Sequence, residues 1–290
     1  MNNRPVKTSY VSKDVKIPDE FLKSEPHDAK PITFKQINFE DAGLNDYRGL
    51  YAVVLDHVLS PSECAQLIEL AEASVVDENR NQENGSAWAP ALVNVGGGYE
   101  VRTPDYRNSD RIIWDQQDIV DRLWARLEQV PQIKNALLSF FQEHKRIAQR
   151  VRGKAPQYIT KQTWWDFHSV NKRMRFLKYG EGQFFRPHCD SPYSGITDDG
   201  HAVTTFHTLH LYLNDSKEEV GEQADLAGGA TSFHSSNHER NLDVNCKAGR
   251  VLIFQHGRLY HSGDDVKEGT KFTMRSDIMY TTRHDPSDLD

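Results

Sequence analysis

The spacing of apolar positions changes character along the chain. Residues 1–46 keep no sustained period. They are polar, punctuated by Pro5, Pro18, Pro26 and Pro31, and predict an arm that wraps the rest and is partly mobile when alone. Ala52-Val53-Val54-Leu55 predicts a strand. Ser60-Pro61-Ser62-Glu63 then predicts a helix start: Ser60 can cap, Pro61 suits the first helical position and Glu63 closes a capping box. Cys64, Leu67, Ile68 and Ala71 form the apolar face of that helix. A second helix is predicted over 115–128, with Ile119, Leu123 and Leu127 at helical spacing and Asp118–Arg122 as an exposed i,i+4 pair. Between the helices, residues 77–108 are rich in Asn, Gly and Asp around Gly96-Gly97-Gly98. They predict a long loop, with a functional lid and an idle surface excursion equally open.

From residue 175 onward short extended segments alternate with turns. Extended stretches fall at 175–179, 183–190, 205–214, 231–234, 250–255, 260–262 and 271–281, with turns at Gly180-Glu181-Gly182 and Ala227-Gly228-Gly229. Helices first and many short strands afterward predict a mainly β fold with flanking helices (α+β), its core a sandwich or barrel buttressed on one side. The expected division is a polar N-terminal arm over 1–46 and one domain over 47–290. Within that domain, helical support covers 47–165 and the strand core 170–283.

Composition narrows the function classes. Lys and Arg number 35 against 42 Asp and Glu, a net charge of −7, which argues against nucleic acid as principal partner. The basic run Lys145, Arg146, Arg150, Arg152 and Lys154 reads as a solvated helix face or loop rather than an anion site. The longest apolar run, Leu50-Tyr51-Ala52-Val53-Val54-Leu55, is far short of the roughly 20 residues that span a bilayer. The N-terminus lacks an apolar signal stretch, so a cytosolic or nuclear protein is expected. Cys64, Cys189 and Cys246 are odd in number and far apart, which argues against a disulfide framework. Histidine is the compositional oddity: of 13, ten lie between His168 and His284, a reason to look for a metal.

His188-Cys189-Asp190 supplies a first pair of ligands, because positions two apart on a strand share a face. Alone it is weak, since 13 His and 42 acidic residues in 290 produce about two such pairs by chance. His261 supplies a third ligand from a distant strand, with His256 as its rival. Two His and one carboxylate leave three coordination positions open, which suits non-haem Fe(II). For His207, His210, His234 and His256 a hydrogen-bonded core or surface imidazole is the favoured reading. Trp164-Trp165 reads as core or as a joint between helices and barrel.

Several motifs in order resemble a family. They are Tyr179-Gly180-Glu181-Gly182, 184–190, His210-Leu211-Tyr212-Leu213-Asn214, Gly228 to Phe233, Gly249 to Phe254, His261 and Gly269-Thr270-Lys271. Together with the opening Val54 to Ser60, they resemble the 2-oxoglutarate- and Fe(II)-dependent oxygenases, in the prolyl-4-hydroxylase-like branch, over roughly residues 51–281. The resemblance implies a double-stranded β-helix (jelly-roll, cupin-like) core with iron on His188, Asp190 and His261. It implies 2-oxoglutarate and O2 as co-substrates, succinate and CO2 as co-products, ascorbate as a candidate stimulant, and hydroxylation of an unactivated C–H bond. It also implies a cation and hydroxyls for the far carboxylate of 2-oxoglutarate: Lys271 in its Gly-x-Lys context, Tyr212 and Tyr179. Lys271, Thr273 and Arg275 share strand parity, spread over about 13 Å at ~3.3 Å per residue, so Arg275 is a second candidate clamp and is slightly favoured. Arg186, His210 and Thr273 are candidate substrate-facing residues, an exposed snorkelling side chain being an equal reading for Arg186, while Asp277 is expected to pair with Arg275. The metal centre itself is the catalytic element, and no separate acid or base is assigned. An amino acid, a peptide or a small metabolite would each suit such a site, and the extra segments around it argue against carrying over prolyl specificity. The rival readings are a cupin-like metalloenzyme independent of 2-oxoglutarate and a non-catalytic barrel that only binds.

Overall fold

Residues 4–81, 83–149 and 157–283 are described by the structure, a computed structural model. The chain opens with β1 (Thr33–Gln36), β2 (Ala52–Asp56) and the helix α1 (Pro61–Ala73). Strands β3 (Arg107–Asn108) and β4 (Asp110–Asp115) lead into α2 (Gln117–Leu127) and α3 (Pro131–Leu137). A long hairpin, β5 (Ser139–Gln149) and β6 (Gln157–Val170), precedes β7 (Arg173–Tyr179), β8 (Phe184–His188), β9 (Ser194–Ile196) and β10 (Ala202–Tyr212). Then come β11 (Thr231–His234), β12 (Asn241–Val244), β13 (Val251–Gln255), β14 (His261–Gly263) and β15 (Lys271–Thr282).

Two antiparallel sheets carry the fold. The larger runs β1-β2-β13-β10-β15-β7-β4, with β6 on β15 and β9 on β10; the smaller runs β12-β11-β14-β8-β3. This is the mainly β, jelly-roll arrangement expected from the strand-and-turn texture after residue 175. The layering explains why β13 is apolar at successive positions. Val251 and Ile253 pack with Leu209, Leu211, Val53 and Leu55 in the core shared with the helices. Leu252 and Phe254 pack with Tyr212, Leu177 and Phe233 in a second core. A strand buried on both faces has no polar parity.

The helices follow their sequence signals. Ser60 Oγ accepts from the Glu63 amide at 3.2 Å, and Glu63 Oε2 accepts from the Ser60 amide at 2.9 Å, which completes the capping box. Glu63 also holds Arg126 of α2 at 2.6 Å, pinning the two helices together. The Asp118–Arg122 pair forms at 2.6 Å, but Arg122 is buried rather than exposed. The N-terminal segment covers it: its guanidinium donates to the carbonyls of Pro18 and Phe21. That segment also places Phe21 and Leu22 in the helix-side core and Phe39 and Leu44 in the other.

Three stretches differ from expectation. Residues 77–108 are not one open loop, because Val93–Gly96 and Tyr99–Val101 form a hairpin around Gly97-Gly98, and β3 at its end joins the smaller sheet. The support region also contains the β5–β6 hairpin, whose mixed polar and apolar residues show neither period. Lys145 and Arg146 therefore lie on a strand rather than on a helix face or loop, while Arg150, Arg152 and Lys154 lie outside the described residues. The short helix α3 was not anticipated. Among the described residues, no helix is long and apolar enough to cross a membrane.

Gly249 fastens the β13 turn to the start of α1. Its carbonyl accepts from the Val58 amide at 2.9 Å, its amide donates to Tyr212 O at 3.0 Å, and its φ is +74°. A Cβ there would overlap the Leu59 carbonyl, whereas one on Gly257 (φ +68°) would meet nothing within 4 Å. Gly249→Ala should therefore destabilise by more than about 2 kcal/mol and Gly257→Ala by only the ~1–2 kcal/mol left-handed penalty. Urea unfolding of both variants checks the difference, and equal losses would refute the steric account.

Candidate metal centre

The smaller sheet brings two histidines together by register. His188, last in β8, lies opposite His261, first in β14, with ring centroids 4.4 Å apart. Asp190 follows immediately. His188 Nε2 is 3.8 Å from Asp190 Oδ1 and His261 Nε2 is 3.9 Å from Asp190 Oδ2, and the candidate ligand atoms all lie within 4.8 Å of one another. Each imidazole is oriented by its own backbone: Nδ1 of His188 bonds Arg186 O at 2.9 Å and Nδ1 of His261 bonds Leu259 O at 3.0 Å. With Nδ1 engaged, both rings present Nε2 to the common space. Asp190 Oδ2 accepts from Thr208 Oγ1 at 2.6 Å and Arg275 at 3.0 Å, which leaves Oδ1 turned toward His188.

Electrostatics keep these groups in ligating form. Burial, then the neighbouring His261, pushes the His188 pKa down to about 3, and burial also lowers His261. Burial would raise the Asp190 carboxyl, but Arg275, His261 and His188 together hold it well below the usual carboxylate range. Two neutral imidazoles and one carboxylate converging on one space fit a divalent ion with open positions. A second group of potential ligands, His168, Asp199 and His201, is largely at the surface, and His168 is the more covered of its histidines.

A cavity opens beside the three groups, and Lys271, His210 and Arg275 line it. Lys271 is 2% exposed, and its Nζ donates to Gly229 O at 2.6 Å and sits over the rings of Tyr179 (5.1 Å) and Tyr212 (6.0 Å). No carboxylate pairs with it among the described residues. His210 Nε2 and Thr273 Oγ1 are likewise buried without partners. Unpaired polar atoms and an uncompensated ammonium around one cavity fit an anionic, hydrogen-bonding occupant.

The sequence-derived candidates divide. Tyr179 and His210 line the cavity, and Thr273 is buried beside it. Tyr212 does not line it, because its hydroxyl donates to Thr231 Oγ1 at 2.7 Å and Thr231 takes its place at the wall. Arg186 turns outward to Asp265 at 2.7 Å and over Phe184, although parity placed it with His188. A register irregularity between Phe185 and His188 breaks the alternation there and brings Phe185 to the cavity instead. Arg275 does meet Asp277, at 3.1 Å. The other histidines have partners elsewhere: His207 with Tyr280, His234 with Ser262, and His256 near Asp277 at 3.5 Å, so His256 does not rival His261 for this space. Trp165 is partly buried and packs on Phe206 at the margin of the helix-side core, whereas Trp164 is exposed and so is not the core residue expected. Sequence reasoning missed Thr208, Arg175 and Arg107. Thr208 shares parity with His210 and was findable; Arg107 sits inside the Asn/Gly-rich stretch, for which a lid and an idle surface excursion were equally open.

Residues 174–276 match the model of the 2OG-Fe(II) oxygenase superfamily. The chain carries a 2OG-Fe(II) oxygenase domain. It is a 2-oxoglutarate-dependent iron dioxygenase, which works with Fe(II), 2-oxoglutarate and O2, and His188, Asp190 and His261 form a group that could hold a metal ion. No curated protein matches the chain. Among solved structures, the oxygenase is similar to a viral collagen prolyl hydroxylase from Paramecium Bursaria Chlorella virus-1, with 17% identity, a TM-score of 0.44, and 80% of this chain and 97% of that one covered. It is similar to a Pseudomonas putida prolyl-4-hydroxylase, with 16% identity, a TM-score of 0.45 and coverage of 83% and 99%. A Trichoplax adhaerens prolyl hydroxylase, in complex with a hypoxia inducible factor peptide fragment, gives 12% identity, a TM-score of 0.47 and coverage of 83% and 88%.

Four buried imidazoles give the oxygenase a distinct acid response. The pKa values of His188 and His207 are pushed to about 3 and those of His261 and His210 are also lowered, burial being the largest cause in each. The unfolded chain takes up these protons near pH 6.5 and the folded chain does not, so stability rises with pH below 6.5 and is lost as pH falls. Metal-free protein should lose at least about 2 kcal/mol between pH 7 and pH 5. Urea unfolding at both pH values measures it, and unchanged stability would show that these rings are not buried neutral.

Proposed function

We propose that His188, Asp190 and His261 hold iron, that Lys271 holds the far carboxylate of 2-oxoglutarate, and that the enzyme hydroxylates an amino acid, a peptide or a small metabolite. The observation that carries this reading is Lys271: a buried ammonium without a carboxylate, in the cavity where two imidazoles and Asp190 converge. Arg275 suits the clamp less well than its parity suggested, because Asp190 and Asp277 already hold its guanidinium. Its role here is positioning: with Thr208 it occupies Oδ2 of Asp190 and leaves Oδ1 for the ion. Residues 47–290 act as one oxygenase domain against which residues 4–46 pack.

Iron with 2-oxoglutarate and O2 supplies the oxidising power to convert C–H to C–OH, with release of succinate and CO2. The chain's residues do the rest. His188 and His261 stay neutral so that no proton competes with the ion for Nε2. Lys271, Tyr179 and Thr231 fix the cosubstrate at the depth of the cavity. Phe185 and Phe254 exclude water beside the histidines. Arg175 lines both this cavity and a broader groove bordered by Tyr193 and Ile196, which gives substrate a path to the metal.

Succinate formation from 2-oxoglutarate should require Fe(II) and increase when a panel of amino acids, peptides and metabolites includes the substrate. Turnover of a substrate without 2-oxoglutarate would refute the assignment and favour the cupin-like alternative. Lys271→Ala should raise the 2-oxoglutarate concentration needed for half-saturation at least ten-fold with metal affinity unchanged. Arg275→Ala should weaken metal binding by about 10–100-fold. The reverse pattern would make Arg275 the clamp.

A further inference from the structure

The cavity holds more positive charge than iron and 2-oxoglutarate can use. Lys271, Arg275, Arg175 and Arg107 line it, and Asp190 is the one carboxylate in its wall, with Asp277 directly behind. Fe(II) adds two positive charges and 2-oxoglutarate removes two. Four cations against two carboxylates then leave two positive charges in a largely buried space, where an uncompensated charge is costly.

Arg107 is the cation without any use so far. Asp277 holds Arg175 at 3.0 Å and Arg275 at 3.1 Å, whereas Arg107 pairs with no carboxylate among the described residues. Its one hydrogen bond runs from Nη1 to Leu92 O and is long, 3.4 Å, and its Nε is buried without a partner. The guanidinium lies over the Phe185 ring at 4.7 Å, and that ring stacks on His188 with centroids 3.8 Å apart. Arg107 thus stands one aromatic ring away from a candidate metal ligand, on the side formed by the 77–108 segment. Burial above all, and the nearby guanidiniums of Arg111, Arg275 and Arg175, push its pKa down to about 10, with Tyr179 opposing.

We infer that Arg107 is an anion anchor for the substrate, and that the substrate bears a free carboxylate or comparable acid close to the carbon that is oxidised. A guanidinium with free N–H donors can hold a carboxylate by two parallel hydrogen bonds, which fixes orientation as well as charge. The surplus charge falls by one when such an acid binds. Phe185 supplies a flat apolar wall for the part of the substrate between its acid and the metal. An amide or ester of the same compound would leave Arg107 buried and unpaired, so the pocket selects by the cost of the wrong ligand. This inference rests on the oxygenase reading of the site.

The test uses the full chain loaded anaerobically with Fe(II) and 2-oxoglutarate, so that nothing turns over. The absorption band of the iron–2-oxoglutarate chelate is read first, in wild type and in Arg107→Gln; its absence from wild type would sink the oxygenase reading and this inference with it, whereas the binding outcomes below bear on this inference alone. Binding is then measured by calorimetry for N-acetyl amino acids, dicarboxylic acids and aryl carboxylic acids, each beside its primary amide. Wild type should bind at least one acid ten-fold or more tightly than its amide. Arg107→Gln should abolish that preference while keeping its melting temperature and 2-oxoglutarate affinity, and Arg107→Lys should restore part of it. No acid-over-amide preference in wild type, an undiminished preference in Arg107→Gln, or a ten-fold loss of 2-oxoglutarate affinity in that variant would each overturn the proposal.

Discussion

The pairing of His188 with His261 across the β8–β14 ladder is the constraint on which the centre depends. Antiparallel register alone sets the two rings 4.4 Å apart. Each ring is then aimed by a carbonyl two residues earlier in the chain, Arg186 O or Leu259 O, so orientation needs no distant side chain. The carboxylate is treated differently. Asp190 comes from the end of the smaller sheet, but Thr208 of β10 and Arg275 of β15 hold it, and both belong to the larger sheet. An ion held at this point would tie the two sheets together. The spacing of the sheets, set by Leu252, Phe254, Phe233 and Leu177 between them, is therefore part of the site.

Burial at the centre is unfavourable before it is useful. Four imidazoles are forced neutral, and an ammonium and a guanidinium are enclosed without counter-ions. A protein of net charge −7 has concentrated positive charge in its one cavity beside the ligands. Such groups lower the stability of the empty fold, and the helix-side core offsets them with Leu67, Ile119, Leu123, Leu127, Ile253 and Ile278. Function and stability are thus separated by face: on β10, Leu209 and Leu211 pack on the helices while Thr208 and His210 face the cavity.

Sequence made much of this legible where structure is local or periodic. The Ser60 cap, the α2 stripe and the strand-turn texture after residue 175 all express short-range rules. So do the shared parity of His188 with Asp190 and that of Lys271 with Arg275. What escaped were the consequences of irregularity and of long-range pairing. The irregularity before His188 turned Arg186 outward and Phe185 inward, and no composition rule marks it. The hydroxyl of Tyr212 is diverted by Thr231, a partner 19 positions away that only folding reveals. Arg107 was invisible as a site residue because its significance lies in having no carboxylate partner among the described residues, a property of three-dimensional surroundings.

The charged groups around the metal form a chain rather than separate pairs. Arg175 meets Asp277 at 3.0 Å, Asp277 meets Arg275 at 3.1 Å, and Arg275 meets Asp190 at 3.0 Å. One end borders the groove and the other ends on Asp190, the candidate metal ligand, with His256 at 3.5 Å from the central carboxylate. Removing a member leaves its neighbours as buried charges without compensation, so single substitutions report the whole chain and do not add. An acid arriving near Arg175 would compete with Asp277 for it and, through Asp277, change how firmly Arg275 holds Asp190. The groove and Asp190 are therefore linked by one unbroken run of charged side chains, each in contact with the next.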